Sequence, residues 1–84
     1  MVCTFSPRAD KDLTKLSPDV KERIVEKIQY LCANDLMVAS SIQLTGRLGG
    51  YLRIRIGDYR VIFDVKDRAE AYILRIGHRS VIYD

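Results

Sequence analysis

Y-L-R-I-R-I-G-D-Y-R-V-I-F, residues 51–63, alternates apolar and polar side chains on either side of Gly57-Asp58. Strand residues point to opposite faces with period two, and a Gly-X pair is the loop of a tight hairpin. The stretch therefore predicts a hairpin that pairs Ile56 with Tyr59, Arg55 with Arg60, Ile54 with Val61 and Leu52 with Phe63. One face carries Leu52, Ile54, Ile56, Tyr59, Val61 and Phe63. The other carries Tyr51, Arg53, Arg55, Arg60, Ile62 and Asp64. Arg55 and Arg60 would face each other, and like charges directly opposite destabilise a sheet. A visiting anion would relieve that conflict.

Downstream, Val65 ends the second strand and residues 66–70 form a charged turn. Residues 71–76 read as a third strand, with Tyr72, Leu74 and Ile76 toward the oily side and Arg75 toward the arginines. The chain leaves that strand at Gly77, with His78 and Arg79 just past its end. Upstream, residues 36–50 show no sustained period and read mostly as a connecting loop that carries Arg47.

Before that loop, Ser6-Pro7 and Ser17-Pro18 each combine an N-cap residue with a proline suited to the first helical position. The first helix runs to about Leu16, with Ala9, Leu13 and Leu16 on its stripe. Arg8, Asp10, Lys11, Asp12 and Lys15 fill its outer faces. Val20, Ile24, Ile28 and Leu31, with Val25 and Cys32 beside them, form the stripe of a longer helix that ends at Asn34-Asp35. Residues 2–5 read as a first strand. The order predicts an α+β fold: two N-terminal helices packed on one face of a small, mainly antiparallel four-stranded sheet. The opposite face is left open, and it carries the arginines.

Eighty-four residues, 48% hydrophobic and 30% charged, make one globular domain over residues 1–84. The net charge of +3 leans toward an acidic partner. No apolar run approaches the ~20 residues of a membrane span, and no basic-then-apolar leader opens the chain. A cytoplasmic protein with no membrane role is expected. Cys3 and Cys32 lie in no C-x-x-C, so zinc is not expected, and both read as buried or half-buried thiols. Neither a metal nor a small-molecule cofactor is implied.

Arg53, Arg55, Arg60, Arg75 and Arg79 would converge on the open face. Guanidinium forks match phosphate oxygens and stay charged at physiological pH. An ordinary solvated face is the competing reading, with Asp58 and Asp64 partly neutralising it. Solvated faces mix signs, however, and this one is nearly all arginine. His78, the one histidine, suits proton transfer near neutral pH. Tyr51 either stacks a base or simply begins a strand. Tyr83 on spacing alone reads as a packing aromatic that pins the tail. No Walker loop, carboxylate pair or nucleophile elbow is present.

The hairpin and the tail L-R-I-G-H-R-S-V-I-Y (residues 74–83) together resemble the RelE/ParE superfamily of toxins from type II toxin–antitoxin pairs. The family pattern is a G-x-x-x-G loop, a Y-R-x-R-x-G-D-Y-R hairpin and a strand ending G-H-R-x-x-x-Y. Here these fall at residues 46–50, 51–63 and 77–83. The resemblance implies a microbial-ribonuclease-like fold. In the RelE branch it further implies an endoribonuclease that cuts messenger RNA in the ribosomal A site, leaving a cyclic phosphate. The implied partners are the ribosome, mRNA and a cognate RelB-like antitoxin.

By the same resemblance, Arg53 and Arg55 fall on substrate-contacting positions, and Arg60 and Arg79 on arginines that stabilise the transition state. Tyr83 falls on the C-terminal tyrosine, and His78 on a position that is basic or histidine in several members. Tyr51, Arg47 and Arg75 join the RNA-binding set. Internal attack of a 2′-hydroxyl needs a base, an acid and positive charge. The charge is ample. His78, Tyr83 and Asp64 are the candidate proton carriers, because arginine is a poor base. Two alternatives remain: a non-enzymatic ParE-like inhibitor of DNA gyrase, and a decayed toxin that only binds its antitoxin.

Overall fold

The computed structural model describes residues 1–82. Strand β1 (Val2–Phe5) leads into helices α1 (Pro7–Thr14) and α2 (Pro18–Ala33). Strand β2 (Ile42–Gln43) and a 3-10 turn (Gly46–Leu48) follow. The meander β3 (Leu52–Ile56), β4 (Tyr59–Lys66) and β5 (Glu70–His78) completes the fold. The sheet has five strands rather than four, in the order β1-β5-β4-β3-β2. It is mixed: β1 runs parallel to β5, while the other pairs are antiparallel. The extra strand comes from residues 36–50, where two residues of β2 pair with Leu52 and Arg53. That stretch also returns Met37 to the core, fully buried. Among the described residues, no helix is long and apolar enough to cross a membrane.

The hairpin register is the one the alternation dictates. Leu52 pairs with Phe63, Ile54 with Val61, Arg55 with Arg60 and Ile56 with Tyr59. Gly57 takes φ +60°, and Asp58 is not among the residues with positive φ. That matches a turn whose first central residue must be left-handed.

Both helices cover one face. Ala9 and Leu13 of α1, and Ile24, Ile28, Leu31 and Cys32 of α2, close over Ile54, Ile56, Val61, Phe63, Ala71, Ile73 and Ile76. The Ser6 hydroxyl caps α1 by accepting from the Ala9 N–H at 3.0 Å. Ser17 holds the same extended geometry before α2 but makes no side-chain cap bond. Cys3 is half-buried and Cys32 buried, both as free thiols.

Two expectations about α1 and β5 need correction. Asp12 is buried rather than on an outer face, with 6% exposure. Past Phe5 the chain leaves β5 to form α1, and the Ile76 N–H turns to Asp12 Oδ2 at 2.9 Å. The inward residues of β5 are also different. Ile62 pairs with Arg75, but Phe63 pairs with Ile73, so Leu74 is an extra residue at a β-bulge. The bulge shifts the phase of the strand. Ala71, Ile73 and Ile76 enter the core, while Tyr72 pairs with Asp64 on the other side and Leu74 lines the opposite face.

Candidate functional site

The face away from the helices is a groove of about 850 Å³. Its floor is apolar, made by Ile62 and Leu74, and Ile82 lies at its margin. The start of α1, with Ser6, Pro7 and Arg8, forms one wall. The opposite wall is the segment before β3, with Leu44, Arg47, Leu48 and Tyr51. Ile62 is 2% exposed although it lies outside the main core. The face therefore carries a second apolar cluster as well as arginines.

The alternation of β3 and β4 sets Arg53 beside Ile62 and Arg55 opposite Arg60 on this face. Arg53 is half-buried and Arg55 exposed. Arg60 is 6% exposed. Its Nη1 donates to the Gly57 carbonyl at 3.1 Å and to the Tyr59 carbonyl at 3.0 Å, so it also ties the hairpin together. Arg47 and Tyr51 line the groove, and so does Arg75. Arg75 does not stand alone: its Nε donates to Asp12 Oδ2 at 3.0 Å.

The tail returns to the hairpin tip. The Arg79 N–H donates to the Asp58 carbonyl at 2.8 Å, and the exposed Arg79 guanidinium lies 3.9 Å from the Asp58 carboxylate. Arg79 thus stands at the hairpin tip, beyond the cross-strand pair of Arg55 on β3 and Arg60 on β4. An exposed pair of this kind contributes little to stability and leaves the charge open to a ligand.

His78 lies elsewhere. It is the last residue of β5 rather than a residue past its end, and it pairs with Tyr59. Tyr59 packs against the helix-side core, and the two rings meet edge to face at 5.5 Å. Residues directly opposite share a face, so His78 points to the helix side, away from Arg53, Arg55 and Arg60. The Ser80 N–H donates to His78 Nδ1 at 3.2 Å, and the Ser80 hydroxyl lies 2.8 Å from the same nitrogen. The neutral ring accordingly carries its proton on Nε2. Asp64, another candidate proton carrier, has Oδ1 bound to the Val65 N–H at 2.9 Å. Tyr83 lies outside the described residues. Among the described residues no cluster of His, Cys, Asp or Glu is placed to hold a metal.

The sequence reading missed Arg8, Asp12 and Ile82. One signal for Asp12 was available: it sits three residues after Ala9 and one before Leu13, on the edge of the buried stripe of α1. A carboxylate in that position calls for a partner.

Residues 3–83 match a family model described as the ParE toxin of the type II toxin–antitoxin system parDE. Among solved structures, the chain resembles the toxin–antitoxin complex RelBE2 from Mycobacterium tuberculosis, with TM-score 0.80 and 30% identity. That match covers 93% of this chain and 96% of the other. The RelB–RelE complex from Methanococcus jannaschii follows with TM-score 0.72 and 27% identity, covering 95% and 94%. The isolated E. coli RelE toxin, at 22% identity and TM-score 0.69, covers 92% of this chain and 82% of that one and shares the fold. None of the curated proteins matches.

Proposed function

We propose that this chain, which belongs to the ParE toxin family of type II toxin–antitoxin systems within the RelE/ParE superfamily, is a toxin that cleaves messenger RNA on the ribosome and so blocks translation. The observation that carries this reading is the placement of Arg53, Arg55 and Arg60 on one sheet face, with Arg55 and Arg60 in direct register. Such a pair costs the fold stability and suits the negatively charged phosphates of an RNA backbone, whose oxygens guanidinium groups bind. Arg53 and Arg55 hold the substrate, with Arg47, Arg75 and Tyr51 in the groove. Arg60 and Arg79 stabilise the charge that builds on the phosphorane.

Proton transfer falls to Tyr83 in the tail, or to His78 where the substrate rounds the hairpin tip. The ribosome supplies the alignment that the chain lacks, an effect worth several kcal/mol in general. All of residues 1–84 act as one toxin domain in the cytoplasm. A RelB-like antitoxin is the cognate partner, as the RelB–RelE complexes among the similar structures suggest.

Primer extension on ribosome-bound messages after induced expression tests the reading. Codon-phased 5′ ends are expected. Arrested growth without such ends would overturn it. A gyrase-directed toxin is the second reading, favoured by the placement of His78 on the helix side, away from the arginines. DNA damage without RNA cuts would select it.

A further inference from the structure

Asp12 holds two arginines at once. Its Oδ2 accepts from Arg75 Nε at 3.0 Å and from the Ile76 N–H at 2.9 Å. Its Oδ1 lies 3.5 Å from Arg8 Nε, one helical turn away. The carboxylate is 6% exposed, whereas Arg8 is exposed and Arg75 half-exposed, and both arginines line the groove. The Ile76 N–H needs only a neutral acceptor, so an asparagine would satisfy it. The negative charge serves the two guanidiniums, and no other carboxylate of the described residues lies within ion-pair distance of either.

A carboxylate between two cations offsets their repulsion and fixes their orientation while leaving one net positive charge. Asp12 occupies only Nε of Arg75, so the N–H groups on the two Nη atoms remain for a ligand. Across the apolar floor of Ile62 and Leu74 stands Tyr51, on the opposite wall. A phosphate against α1 would leave the attached base over the floor, within reach of an aromatic ring.

We propose that Arg8 and Arg75, positioned by Asp12, form a phosphate site on the α1 wall of the groove that takes a phosphodiester of a single-stranded RNA. This site is separate from the arginines of the hairpin. It rests on the RNA-directed reading above and adds a contact set by helix α1. Asp12 is a positioning residue and touches no substrate.

The test is the affinity of the full-length chain for a fluorescent, uncleavable 2′-O-methyl RNA oligonucleotide across a salt series. Arg8→Gln and Arg75→Gln should each weaken binding and lower the slope of log K against log salt by about one. Asp12→Asn keeps the acceptor for Ile76 and removes a negative charge. By charge alone it should bind RNA more tightly, whereas loss of positioning makes it bind several-fold more weakly. Equal or tighter binding by a folded Asp12→Asn protein overturns the positioning role. Unchanged slopes in both arginine variants overturn the site, and these variants decide the matter if Asp12→Asn does not fold. A folded wild type that binds no RNA brings down the RNA-directed reading itself. Wild-type binding with insensitive variants brings down this site alone.

Discussion

Ile82 packs directly on Gly77: a β-carbon added to the glycine would lie 2.9 Å from Ile82 Cδ1 and 3.6 Å from its Cβ. Gly77 pairs with Arg60, and Ile82 is 3% exposed at the margin of the groove. Glycine is needed here for close approach. Gly77→Ala should push Ile82 away and cost about 1 kcal/mol. Ile82→Val removes the Cδ1 that would clash, so the double variant should recover most of that loss. A urea-unfolding double-mutant cycle measures the coupling. Strictly additive effects would show that this contact does not hold the tail.

Arg55 and Arg60 set stability against activity. Arg55→Glu turns the like-charged cross-strand pair into an opposite one and should stabilise the sheet by about 0.5 kcal/mol. It also reverses a charge on the proposed RNA face, so growth arrest should disappear. Thermal melting and a plate assay read the two effects. A stabler variant that is still fully toxic would remove Arg55 from the substrate surface.

Arg60 and Arg79 should separate experimentally. Arg79 is exposed and its pair with Asp58 is loose, so Arg79→Ala should keep wild-type stability and lose toxicity. Arg60 donates to the Gly57 and Tyr59 carbonyls from a buried position. Arg60→Ala should therefore lose toxicity and also about 1–2 kcal/mol of stability. Equal melting curves for the two variants would contradict the structural role of Arg60.

Burial, with the neighbouring Cys3 thiol adding to it, pushes the Cys32 thiol up to about 12 from an ordinary 9.0. Below the unfolded value both states hold the proton, and stability is fully present. As pH rises from 9.0 toward about 12, the unfolded chain ionises first and stability is lost. Wild type should thus lose stability faster than Cys32→Ala as pH rises through that window, measured by denaturant titration. Native Cys32 should also resist iodoacetamide until the chain is unfolded.

The hairpin could be read from sequence because both of its determinants are local: alternation between Leu52 and Phe63, and a turn glycine at Gly57. The helix stripes from Ala9 to Cys32 could be read for the same reason. The parallel pairing of Val2–Phe5 with β5 is non-local, and nothing in the first residues names that neighbour. Strand β2 has two residues, too few to show a period. At the site, the shared face of Arg53, Arg55 and Arg60 followed from parity alone. His78 was misplaced although parity was enough: two residues beyond inward Ile76, it had to point inward too. Arg60 was read only as a charge, because the carbonyls it binds belong to the turn geometry and not to any residue pattern.

The extra residue in β5 has a genetic consequence. An insertion or deletion elsewhere in a strand inverts every side chain beyond it. Leu74 is the one position in β5 that has no partner of its own, since Ile73 and Arg75 already pair with the consecutive residues Phe63 and Ile62. An in-frame loss of codon 74 should straighten the strand while leaving Ala71, Ile73 and Ile76 facing the core. Loss of that one codon would therefore shorten the groove floor without rewriting the interior.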